Sequence, residues 1–114
     1  MNENCLFCRM SQGAVPVDKV FEDERLFAIK DINPRAPVHV MVIPREHIRS
    51  AGHLTEAEGP LLTHMVLTAG KVAESQGIAQ SGYRLAFNVG DDGGQTIYHL
   101  HLHLLGGREL GPEA

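Results

Sequence analysis

Residues 99–103 read His-Leu-His-Leu-His and run on into Leu104 and Leu105. An extended chain sends successive side chains to opposite faces. The alternation therefore predicts a strand that buries Leu100, Leu102 and Leu104 in a core and aligns His99, His101 and His103 on the other face. Imidazoles two residues apart lie about 6–7 Å from each other along such a strand, close enough to serve one substrate. Histidine gains or loses a proton near neutrality, its unperturbed pKa being about 6.5. Two chemistries fit the segment. One is a histidine nucleophile with histidine helpers. The other is a zinc chelate, for which His-x-His supplies two ligands and needs more from elsewhere.

The residues just before it bear on that choice. Residues 88–98 read Asn-Val-Gly-Asp-Asp-Gly-Gly-Gln-Thr-Ile-Tyr, a glycine-rich loop entering the histidine strand. Gly93 and Gly94 can take up positive φ and bring backbone N–H groups close to an anion. Gln95 and Thr96 add neutral donors. Asp92-Gly93 is also a hairpin-turn signal, but a plain turn leaves the Gly-Gln-Thr run without a purpose. If this loop holds a phosphate, Asp91 and Asp92 must point to solvent.

Residues 93–108, from Gly-Gly-Gln-Thr-Ile-Tyr through the alternating histidines to Gly-Gly-Arg, resemble the defining motif of the histidine triad (HIT) family. Gly106-Gly107-Arg108 is similar to its Hint branch of nucleoside phosphoramidases, and His103 stands where the uridylyltransferase branch has Gln. Residues 27–34 and 37–44 resemble the family's other two landmarks, so the likeness spans nearly the whole chain.

The resemblance implies cleavage of the P–N bond of adenosine 5′-phosphoramidates and related AMP–amine conjugates. His101 is then the nucleophile, its second nitrogen donating to a backbone carbonyl, by analogy that of His99. His103 contacts the α-phosphate or the leaving group, and His39 completes the catalytic cluster. Asn88, Gly94, Gln95 and Thr96 are expected at the phosphate. Asp31 is expected at the ribose hydroxyls, and Ile32 and Ile29, with Phe27, along the purine. No catalytic cofactor is implied. Family members dimerise through the main helix and a neighbouring strand, which makes a homodimer the expectation here.

Cys5-x-x-Cys8 forms a second constellation. One Cys-x-x-Cys lacks two of the four ligands a structural zinc needs. Relatives with a structural zinc use a Cys-Cys-His-His set, and the resemblance assigns it here to Cys5, Cys8, His47 and His99. A metal-free N-terminal turn is the alternative. With His99 structural, His101 and His103 remain for catalysis. His53 and His64 match nothing and read as surface residues.

At 114 residues the chain is one domain, 1–114, too short for two. Only six residues are aromatic (four Phe and two Tyr), which calls for an aliphatic core. The net charge of −4 and the lack of a basic run exclude a non-specific nucleic-acid surface. No apolar stretch reaches the length of a signal or a membrane span, so a cytoplasmic setting is expected, with reduced thiols.

The pattern predicts a short N-terminal helix over 5–12 and strands at 20–22, 26–29, 38–43, 83–89 and 98–105. A helix is expected from about Gly59 to Gly77, with Thr55 and Glu58 as a capping box before it. The sum is an α+β fold, an antiparallel sheet of about five strands with one main helix. Competing functions are a dinucleoside-polyphosphate hydrolase, a nucleotide-binding interaction protein with little catalysis, and a metallohydrolase using the triad as ligands. The last lacks a carboxylate placed as a general base.

Overall fold

The computed structural model describes residues 4–112. A one-and-a-half-turn helix, α1 (Leu6–Ser11), precedes strands β1 (Lys19–Glu22), β2 (Leu26–Lys30) and β3 (Val38–Pro44). Two short 3-10 turns, Ala51–His53 and Glu56–Glu58, lead into α2 (Gly59–Ser75), followed by β4 (Tyr83–Ala86) and β5 (Leu102–Gly106). The five strands form one antiparallel sheet in the order β1-β2-β3-β5-β4. The architecture is the α+β one the sequence predicts.

Side-chain alternation gives the sheet two different faces. Leu26, Ala28, Val40, Val42, Leu102 and Leu104 point to one side and pack on Leu61, Met65, Ala69 and Val72 of α2. Fully burying each of the larger side chains stabilises the fold by about 1.5–3 kcal/mol. The helix starts where Pro60 permits, since proline needs no hydrogen-bond partner for its nitrogen in a first turn. The Thr55–Glu58 capping box is present, but it caps the 3-10 turn in front of α2.

The opposite face is shared. At the β2–β3 end α1 covers it, and Phe7 and Cys8 pack with Phe27, Ile29, Met41 and Ile43 in a second, smaller core. Towards β5 and β4 that face is open, and the functional groups gather there.

The last strand begins later than the sequence suggests. β5 starts at Leu102, so His99 and His101 sit in the segment leading into it and only His103 lies on the ladder. The reason is local: the Leu100 N–H bonds the Ile48 carbonyl at 2.6 Å, outside the sheet register. The alternation survives nonetheless, with Leu100, Leu102 and Leu104 all in the α2 core. β4 likewise ends at Ala86, before the expected Val89.

Candidate active site

Register brings the histidines together. On β3 and β5, His39 pairs with Leu105 and Met41 with His103, which makes His39 and His103 diagonal neighbours on the open face. His39 Nε2 lies 2.9 Å from His103 Nδ1 and 3.4 Å from the Asp31 carboxylate. The other nitrogen, His39 Nδ1, accepts from the Arg35 backbone N–H at 3.2 Å. That donor fixes the tautomer: His39 carries its proton on Nε2 and offers it to His103 Nδ1 and Asp31. His103 in turn carries its own proton on Nε2.

His101 is held separately. Its Nδ1 donates to the His99 carbonyl at 2.7 Å, which leaves Nε2 with a free lone pair. Its ring stands edge-on to His103, with centroids 4.9 Å apart, and to Phe7 at 5.2 Å. Phe7, between the two cysteines, also packs on His99 and so buttresses both imidazoles. Nothing in the sequence pattern marks Phe7 for that role, because an apolar residue in a short helix reads as core.

Burial sets the charge state. Desolvation pulls His103 down to about 4, and the neighbouring His101 and His39 push in the same direction. His101 and His39 are lowered by the same cause, opposed for His101 by its bond to the His99 carbonyl and for both by Asp31. All three are neutral at pH 7, as a nucleophile approaching an anionic phosphorus requires.

A cleft of about 350 Å³ opens over these groups, lined by Asp31, Asn88, Gly94, Thr96, His101 and His103, with Asn33 and Arg35 at its edge. Asp31 is fixed by an Asx turn, its Oδ1 accepting from the Asn33 N–H at 2.9 Å. The glycine loop closes the far wall. Gly94 has φ +82, and a side chain at Gly93 would collide with the Val89 carbonyl at 2.3 Å, so its glycine is required by space. Asp91 and Asp92 are exposed, and the Asp91 carboxylate accepts from the Tyr98 hydroxyl.

The other expected nucleotide contacts differ in their surroundings. Gln95 is buried and spent on backbone: its Oε1 accepts from Gly90 N–H at 2.9 Å, and its Nε2 donates to the Arg49 and Ile97 carbonyls. It staples the loop and has no donor left for a phosphate. Ile29 and Phe27 are buried in the small core, whereas Ile32 is 92% exposed beside Asp31, open to a purine as expected. Arg35 and Asn33 are the cleft residues that sequence reasoning missed, and the only signal for them was their place in the Asn33–Pro37 loop.

Cys5, Cys8, His47 and His99 converge behind the triad, with one ligand atom from each lying within 4.8 Å of all the others. His99 Nε2 donates to the Pro44 carbonyl at 2.7 Å. Its Nδ1 lone pair thus faces Cys5 Sγ at 3.2 Å, Cys8 Sγ at 3.5 Å and His47 Nδ1 at 3.1 Å. Burial holds His99 at about 4 and so neutral, and it pushes the Cys5 thiol up. This is a possible metal-binding cluster. His53 bonds Ser50 at 2.8 Å and His64 pairs with Asp23 at 2.7 Å, and neither belongs to the four-residue cluster or lines the cleft.

Residues 4–111 match the family model described as the scavenger mRNA decapping enzyme C-terminal binding domain. The purine nucleoside phosphoramidase of Escherichia coli K12 is 41% identical over 112 residues, covering 98% of this chain and 94% of that protein. The chain belongs to the histidine triad family. Among solved structures, a HIT family hydrolase from Clostridium thermocellum superposes with a TM-score of 0.95 at 50% identity, covering 99% of this chain and 98% of its own. One from Legionella pneumophila gives 0.93 at 45% identity, covering 95% and 96%.

Proposed function

We propose that this HIT protein is a hydrolase that cleaves the P–N bond of adenosine 5′-phosphoramidates and related AMP–amine conjugates. The observation that carries the reading is the His101 arrangement: Nδ1 tied to a carbonyl at 2.7 Å, with the opposite nitrogen unprotonated on a ring that lines the cleft. His101 Nε2 attacks the α-phosphorus. A bond forms from nitrogen to phosphorus, and the P–N electrons leave with the amine, which departs neutral when its nitrogen was protonated before attack. The His99 carbonyl steadies the positive charge that develops on the imidazole, as the carboxylate does in a serine triad. Water then attacks the nucleotidyl-histidine, releasing AMP and restoring the ring. Asn88, Thr96 and the His103 Nε2–H serve the phosphate oxygens, where each donor is worth a few kcal/mol by analogy with oxyanion holes. The test is turnover of adenosine 5′-phosphoramidate beside diadenosine tetraphosphate; preference for the latter would install the polyphosphate-hydrolase alternative.

Asp31 serves the ribose hydroxyls in this reading, and the relative named purine nucleoside phosphoramidase supports a nucleotide substrate. Asp31→Ala is expected to weaken AMP by about 1.5–3 kcal/mol and 2′,3′-dideoxy-AMP by much less, since only the former has hydroxyls to offer. Titration calorimetry with both ligands checks it, and equal losses would remove Asp31 from the ribose site.

Cys5, Cys8, His47 and His99 are the residues that would hold a structural zinc. The donor set fits the ion: two thiols and two imidazole nitrogens, with the His99 tautomer already fixed for ligation. Zinc held there would tie α1 to the segment that carries His101 and would supply no chemistry to the reaction.

The same reading includes a homodimer. The stripe Leu61, Met65, Ala69 and Val72 is consumed inside the subunit, yet Val66 (41%), Leu67 (61%) and Tyr83 (39%) remain exposed. Tyr83, on the sheet's edge strand, lies against α2 at Gly70, so the patch runs from helix to strand. Leu67→Glu is expected to convert the dimer to monomer in sedimentation analysis; a wild-type monomer would discard this interface.

A further inference from the structure

We propose that the cleft continues past His103 into a second arm built to hold an anionic group on the leaving amine, an inference that rests on the phosphoramidase reading above. This arm, about 270 Å³, shares Arg35, Asn88 and His103 with the nucleotide cleft and is otherwise walled by Arg84, Arg108 and the 110–112 tail. Three arginines thus line one arm of a chain whose net charge is −4. Among the described residues none of the three has a carboxylate partner; the ion pairs fall on Arg45, His39 and His64.

The side-chain hydrogen bonds of Arg84 and Arg108 go to backbone carbonyls. Arg84 Nη2 donates to Gly111, and Arg108 donates to Glu109 at 3.0 Å and to Arg35 at 2.8 Å. A carbonyl orients a guanidinium without neutralising it, and each fork keeps further N–H donors for a carboxylate or phosphate.

The direction of the arm suits a leaving group. On the open face Ala86 pairs with His103 and Arg84 with Leu105, which puts Arg84 one same-face step, about 7 Å, beyond His103 along the strand. Going from 101 to 103 to 105, the nucleophile comes first, the phosphate contacts next and the arginines last. In-line attack by His101 expels the amine on the side of phosphorus away from His101, which is the side of this arm. The occupant is therefore an acidic substituent on the amine, either a carboxylate or a phosphate.

The experiment compares kcat/KM for the AMP phosphoramidates of β-alanine, of its methyl ester and of 2-aminoethyl phosphate. The acid is expected to exceed its ester by about tenfold, the margin of one charge-assisted pair, and the phosphate arm shows whether the doubly charged group is preferred. In Arg84→Gln and Arg108→Gln the acid-to-ester ratio falls towards one, and Arg84→Lys restores part of it, which loss of the tail contact alone would not do. A wild-type ratio near one, or a ratio unmoved in both Gln variants, overturns the proposal while leaving the phosphoramidase reading intact. If the wild type cleaves adenosine 5′-phosphoramidate but none of the three, the proposal is likewise overturned; if it cleaves none of the four, the phosphoramidase reading fails instead. Binding then decides the arm: α,β-methylene-ADP must bind about tenfold tighter than AMP in the wild type and equally in Arg84→Gln.

Discussion

His101→Ala is expected to abolish turnover, with kcat falling by about 10⁴-fold or more, the scale seen when a nucleophile is removed from a cooperating set. The fold should survive, because the ring makes only edge contacts to Phe7 and His103 and one bond to the His99 carbonyl. AMP affinity should largely persist as well, since Asp31, Asn88 and Thr96 are untouched. Rapid acid or detergent quench of the wild type with a slowly hydrolysed substrate should capture AMP covalently on His101, located by peptide mass mapping. Label on His103 or His39 would transfer the nucleophile's role. Near-wild-type turnover by the variant would end the covalent mechanism altogether.

The same geometry explains why His103 is not the better nucleophile. Its Nδ1 accepts the His39 proton at 2.9 Å, so the lone pair is already engaged and the remaining nitrogen carries a proton. His39 is in turn polarised by the Arg35 N–H and opposed by Asp31. The relay fixes two tautomers, those of His39 and His103, from one backbone donor, and the His99 carbonyl fixes that of His101. A neutral triad at pH 7 follows from burial, which costs the protonated form more than Asp31 returns to it.

Much of this was legible in the order of residues. Leucines and histidines separated by a period of two had to lie on opposite faces, and they do, even where the ladder has not yet begun at 99–101. The spacing of Leu61, Met65, Ala69 and Val72 at helical intervals gave α2 its buried stripe, and Pro60 marked its start. What the sequence could not show was where hydrogen-bonding capacity would be spent. Gln95 looked like a phosphate donor by position, but a buried amide must satisfy all its atoms, and three backbone groups claimed them. Ile29 and Ile32 flank Asp31 in sequence, yet strand parity sends Ile29 into the small core, while the loop leaves Ile32 exposed beside Asp31. Arg35 and Arg84 come from distant parts of the chain, and only the β3-β5-β4 order brings them to one cleft.

The zinc reading leads to the second large effect, and Cys8→Ser is the variant that isolates it. Cys8 is fully buried, touches His47 at 3.4 Å and His99 at 3.5 Å, and has no part in the nucleotide cleft. Purified wild type is expected to contain about one zinc per chain and Cys8→Ser close to none, because a serine hydroxyl is a poor substitute for a thiolate. Metal that binds only the folded site adds its binding free energy to stability, so its loss should cost several kcal/mol. For a domain of this size that is a fall in Tm on the order of 10 °C. Chelation of the wild type should reproduce the fall. Activity at low temperature should remain measurable, since a zinc on these four residues would act on the position of the 99–101 segment and not on the phosphate. Asp31, His39 and His103 also bring one ligand atom each within 4.8 Å of one another, and a catalytic metal there makes the opposite forecast: Cys8→Ser would keep its zinc, and chelation would stop turnover without lowering Tm. Zinc content, Tm and turnover measured on one Cys8→Ser preparation separate the two. A wild type free of metal whose Tm ignores chelators would leave the four residues as a hydrogen-bonded cluster, with the His99 Nδ1 lone pair accepting from a thiol.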